Sequence, residues 1–186
     1  MIDPDASMIV TKELGASERL LWAGRPSKGV QFRGSDIFLI PFSIMWCGFA
    51  IFWEGGVITT NAPFFFKLWG IPFVLIGLYF VFGRFIVDAK QREKTFYGVT
   101  NERIIIVTTF LRSKIKTLNL RTVTDISLAE KSDRKGTITF GATPPFYSLF
   151  GGSSWPGMGQ QAVTAFEMIE NARAVYGIIN DAQKSA

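Results

Sequence analysis

Two stretches of the chain are almost without polar residues. "IFLIPFSIMWCGFAIFW" (37–53) carries no charge, and "FFFKLWGIPFVLIGLYFVFGRFIV" (64–87) has only Lys67 and Arg84, one near each end. A helix rises about 1.5 Å per residue, so each block is long enough to reach across a hydrocarbon core of roughly 30 Å. Apolar residues run all round both helices rather than along one stripe, which favours a lipid surrounding over a buried pair in a soluble core. Pro41 and Pro72 are tolerated in such spans. Lys67 and Arg84 can snorkel to the headgroups, and Trp53 and Trp69 are rings suited to the interface, so these four are the expected membrane-interface anchors. The pattern predicts a two-span helical hairpin over 37–87.

After residue 87 the period changes. "DAKQREK" passes from apolar to charged without a helix breaker, so the second helix is expected to continue through it. "TFYGVT", "RIIIVTTF", "KIKTLNL", "TVTDISL" and "GTITFGA" then follow at close spacing, rich in β-branched and aromatic residues. Their connections are too short for parallel crossovers, so they predict an antiparallel sheet or small barrel. Near the end, Thr164 and Glu167 stand three apart like a capping box. Met168, Ala172, Val175 and Ile179 recur with helical spacing. That predicts a C-terminal amphipathic helix, opening near Thr164, that covers the sheet.

Charge sharpens the organisation. Of 20 Lys and Arg, five precede residue 37, one lies between 37 and 83, and 14 follow. The link "EGGVITTNAP" (54–63) holds Glu54 and no basic residue, and reads as a solvated outer loop. By the positive-inside rule both termini face the cytoplasm. The expected layout is a cytoplasmic N-terminal segment over 1–36, the hairpin over 37–87 and a cytoplasmic β-domain over 88–186. The chain has no His and a single Cys, Cys47, inside an apolar block. The commonest general base, the commonest metal ligand and any intrachain disulfide are thereby excluded. No motif activates Ser153 or Ser154, and "GGSSWPGMG" lacks the Gly-Lys-Ser/Thr of a phosphate-binding loop. A non-catalytic protein without cofactor, metal or nucleic-acid partner is expected.

"FYGVTNERIIIV", "IKTLNLRTVTDISL", "GTITFG" and "FEMIENARAVYGII" resemble the bacterial pleckstrin-homology-like membrane proteins, and "GASERLLWAGRPSKG" is similar to the stretch that precedes the membrane hairpin in some of them. The resemblance covers roughly 13–180. It implies a strongly bent seven-strand β-sandwich or barrel capped by a C-terminal helix, with "RLLWAG" as an early strand, in the bacterial inner membrane. It implies a fold more than a function, because that fold hosts lipid binders and protein-docking modules alike.

Two features are candidates for function. Arg112, Lys114, Lys116 and Arg121 occur where no acid stands between Glu102 and Asp125. Strand alternation puts Arg112, Lys114 and Lys116 on one face, a solvated edge strand protected by lysine or a row for anionic headgroups. The second is "GATPPFYSLFGGSSWPGMGQQAVTAF", an uncharged loop whose Phe146, Tyr147, Phe150 and Trp155 suit a membrane interface, a docking surface or the underside of the C-terminal helix. Docking onto a membrane-protein partner or a second copy is the first expectation. Anionic-lipid sensing is the alternative.

Overall fold

In the computed structural model, the structure describes residues 2–27, 29, 36–60, 62–131, 133–141 and 164–185. They form two compact units, one from the residues up to Gly29 and from Ala89 onwards, the other from those between Val30 and Asp88.

The second unit is helical. Helix α2 runs Asp36–Thr59 and α3 Phe64–Leu78; a π-helical turn, Tyr79–Gly83, leads into α4, Arg84–Glu93. Both helices, Asp36–Thr59 and Phe64–Glu93, are long and apolar enough to cross a membrane. Only 22% and 17% of their most apolar windows are covered by protein, unlike the core helices of a soluble domain. They meet through small residues. Ser43, Cys47 and Ala50 of α2 and Gly70 and Gly77 of α3 are buried, as membrane helices pack when no hydrophobic drive exists between them. A Cβ on Gly77 would stand 2.9 Å from the Cys47 Cα, so only glycine admits this approach.

The first turn of α2 is tied to the start of α4 by Arg84 and Asp36, 3.1 Å apart with side chains 10% and 11% exposed. The Arg84 guanidinium also lies 4.5 Å from the centre of the Phe85 ring. The expectation for Glu54 needs correction. It lies inside α2 rather than in a loop, because Gly55 and Gly56 do not end the helix. Their carbonyls accept from the Thr59 hydroxyl, and Gly56 O also from Thr60.

The other unit begins with a helix that the sequence pattern did not predict, α1 (Pro4–Thr11), with Asp3 as its cap accepting from the Ala6 N–H. Strand β1 (Leu20–Gly24) follows, so "RLLWAG" does supply an early strand. After the helical hairpin come β2 (Thr95–Thr100), β3 (Arg103–Thr108), β4 (Lys114–Asn119), a 3₁₀ turn (Leu120–Thr122), β5 (Ile126–Glu130), β6 (Lys135–Phe140), β7 (Thr164–Glu170) and α5 (Ala172–Ser185). The strands form two antiparallel sheets, β1-β2-β3-β4 and β5-β6-β7. Among the described residues they do not close into a barrel. Among the described residues, a backbone bond from Ser27 N–H to Met168 O links the chain after β1 to β7.

The main core lies between the sheets. Phe166 is its centre, stacked on Tyr97 at 4.6 Å and flanked by Phe140 at 5.1 Å and Trp22 at 5.7 Å. Ala172, Val175, Ile179 and Ala182 close it from α5. On the far face of the first sheet, Ala6 and Val10 of α1 cover Ala23, Phe96, Ile105 and Val107. Covered on both faces, β2 is buried throughout, which explains its lack of apolar–polar alternation.

The C-terminal helix starts later than the capping-box pattern suggests. Thr164 and Glu167 belong to β7, where Phe166 pairs with Ile138 and Thr164 with Phe140. Around Thr137 the β6–β7 register slips. Met168 takes a positive φ of 47° there and donates its N–H to the Thr137 hydroxyl. Met168 is therefore in the strand, and the apolar face of α5 begins at Ala172.

Candidate functional site

The segment between β3 and β4, residues 109–113, is largely exposed and carries apolar and basic residues together. The ladder ends at the Thr108–Lys114 pair. Its position is fixed by the base of α4: Thr109 donates its N–H to Lys94 O at 2.8 Å. The Thr95 hydroxyl donates to Gln91 O at 2.8 Å and meets the Thr108 hydroxyl at 3.4 Å. The turn therefore sits beside Lys94.

Leu111 at the tip is 91% exposed. Arg112 and Lys114 beside it are exposed, as are Lys90 and Lys94, while Phe110 is half-covered. The only acids in the sequence from Ala89 to Leu118 are Glu93 and Glu102, and Glu102 stands at the opposite end of β3. Leu111 is thus an exposed apolar residue followed closely in sequence by the exposed Arg112 and Lys114.

Arg112, Lys114 and Lys116, expected on one face, do not all lie in β4. Arg112 lies in the turn, not in the strand. Lys114 and Lys116 share a face of β4, but that face also carries Leu118 and looks towards the main core. Lys116 pairs with Ile106 and is half-buried. Burial, and secondarily the charge of Lys114, pulls its pKa below the usual lysine value. Arg121 lies in the 3₁₀ turn, beyond the full length of β4, about 17 Å from the basic tip by strand rise. The loop of Phe146, Tyr147, Phe150 and Trp155 falls outside the described residues. Lys94, Phe110 and Leu111 were not singled out. An apolar pair inside an otherwise polar turn, "TFLRS", was the available signal.

In the helical unit, Trp69 is 53% exposed and stacks on Phe65 at 5.7 Å. Trp53 and Lys67 are half-buried, Trp53 with its ring edge against Gly70. Arg84 is held in its pair with Asp36.

These features describe an apolar helical hairpin leading into an antiparallel β-domain closed by a C-terminal helix. No protein-family model matches the chain, and comparison with curated proteins and with solved structures returns no match.

Proposed function

We propose that the chain is a non-catalytic bacterial inner-membrane protein with two spans and both termini in the cytoplasm. In this reading its pleckstrin-homology-like domain engages anionic headgroups of the adjoining leaflet through the β3–β4 turn. The observation that supports it is the bond from Thr109 N–H to Lys94 O, which ties the turn bearing the exposed Leu111 and Arg112 to the residue that follows Glu93. Four antiparallel strands, then three, then a helix support the fold assignment. The absence of any His in the chain supports a binding role over catalysis. Because spans already anchor a protein effectively irreversibly, the turn orients the domain and reads surface charge rather than recruiting it.

The test is an environment-sensitive fluorophore on Leu111→Cys, with Cys47→Ser, in bilayers of defined composition. Its emission should shift to the blue in anionic bilayers relative to zwitterionic ones. The shift should disappear in about 0.5 M salt, where charges are screened within a few ångströms, and in a Lys94→Glu/Arg112→Glu/Lys114→Glu background. Identical emission in both bilayers at low salt would overturn the proposal and leave docking onto a membrane-protein partner or a second copy as the function to pursue.

A further inference from the structure

The first sheet ends at β4, whose outer edge pairs with no other strand among the described residues. At its far end the Leu120 N–H donates to Glu102 O at 3.0 Å. By the alternation of an antiparallel ladder, Leu118, Lys116 and Lys114 then exchange bonds with β3, and Ile115 and Thr117 turn their N–H and C=O groups outwards. Edge strands are commonly blunted by bulges, by Pro or by charged side chains. Strands β1 and β7, which end the two sheets elsewhere, each carry a register shift. Strand β4 has neither a bulge nor a Pro: all six of its residues, Lys114–Asn119, pair with β3 in regular register.

Its protection is Lys114 and Lys116, and lysine repels only some partners. In the antiparallel register that sets Ile115 opposite its own copy, Lys114 would stand opposite Lys116, so the strand disfavours a second copy of itself. Neither ammonium has an ion-pair partner among the described residues. Lys116 is half-buried, and its pKa is lowered first by that burial and then by the charge of Lys114. Carboxylates facing the two lysines would offset both effects. On the other face of the strand Ile115, opposite Val107, is 46% exposed. A strand laid along this edge would therefore meet cations on one face and an apolar side chain on the other.

We propose that the β4 edge accepts an extended segment of another protein as a fifth, antiparallel strand, with acidic residues opposite Lys114 and Lys116 and an apolar residue opposite Ile115. Backbone bonds to Ile115 and Thr117 supply the affinity, and the lysines choose the partner by rejecting basic strands and copies of β4. This surface shares only Lys114 with the cations of the β3–β4 turn and goes beyond the headgroup reading.

The experiment is fluorescence anisotropy of a labelled Glu-Val repeat peptide and its Lys-Val counterpart, titrated with the full chain in phosphatidylcholine nanodiscs, where no anionic headgroup competes. The wild type should bind the Glu-Val peptide at least about tenfold more tightly, since two favourable cross-strand pairs replace two repulsive ones. Thr117→Pro removes an outward N–H without changing the charge of the edge, and should weaken that binding at least about tenfold. Lys114→Glu/Lys116→Glu should reverse the preference. Equal affinity of the wild type for the two peptides, or no binding of either up to about 1 mM, would overturn the proposal, and neither result needs a variant to fold. So would undiminished binding by Thr117→Pro, or a dimer that Thr117→Pro dissociates, which would assign the edge to a second copy.

Discussion

At the scale of single residues, the N-terminal segment depends on two ion pairs with partners far along the chain. Glu18 places one oxygen 2.6 Å from Arg103 Nε and the other 2.8 Å from its Nη2, and accepts the Gly15 N–H at 2.7 Å. Its side chain is 4% exposed. Asp3 is held the same way by Arg25, at 2.7 Å to each oxygen. The hydrogen bond from Arg103 lowers the Glu18 pKa against the opposing effect of burial, and Arg25 does the same for Asp3. A carboxylate with a depressed folded pKa contributes stability that is complete above its ordinary value, roughly 4, and is lost as the pH falls through the lowered one. Acidification below about pH 4 should therefore release α1 before the sheets unfold, seen as lost amide protection over 4–11 while β2 and β3 stay protected. Arg103→Ala should cost about 1–3 kcal/mol at neutral pH, because it strands an almost buried carboxylate, moderated by the partial exposure of Arg103. Simultaneous loss of α1 and sheet protection would show that the pairs do not act locally.

At the scale of elements, two glycines with the same helix cost have opposite surroundings. Gly77 lies against the Cys47 backbone, which cannot swing aside, whereas nothing lies within 4 Å of a Cβ on Gly48. Gly77→Val should force the hairpin apart and cost about 1–3 kcal/mol, as overpacking does. Gly48→Ala should be neutral or stabilising by up to about 1 kcal/mol from helix propensity alone. Thermal unfolding of the two variants in lipid nanodiscs, followed by helical circular dichroism, checks both signs. Equal effects would mean that α2 and α3 do not meet at Gly77.

The same elements explain what could be read in advance. The helices and central strands are legible because one residue pattern dominates each. "TAFEMIE" is not, because Met168 extends the helical spacing of Ala172, Val175 and Ile179, and Phe166 and Ile169, three apart, share the core face of a strand only through the register slip between them; only pairing with β6 decides. Helix α1 is too short to carry a period of its own and is fixed by Arg25 and by the apolar face of β2 and β3. The basic residues were visible, but their division between turn, strand face and 3₁₀ turn depends on where β4 begins. Glu54 was visible as an acid, and its environment depends on α2 continuing past Gly55 and Gly56.

At the scale of the whole molecule, the proposed reading separates anchoring from orientation, and the two should respond differently to salt. Two apolar helices should hold the chain in the bilayer whatever the ionic strength. Each basic residue near an anionic surface contributes about 1 kcal/mol, so Lys94, Arg112 and Lys114 together contribute on the order of 3 kcal/mol to holding the turn down at low salt. That corresponds to roughly a hundredfold change in how often the turn is free. Trypsin reports it directly, since Arg112 and Lys114 are cleavage sites exposed in the isolated protein. Cleavage there should be at least about tenfold slower in anionic than in zwitterionic nanodiscs, a conservative reading of that free energy. Raising the salt to about 0.5 M should close the gap by screening, while washing native membranes at the same salt should release none of the protein. Equal cleavage rates in the two bilayers at low salt would mean that the turn does not touch the surface, and the exposed Leu111 would then have to be explained by a protein partner.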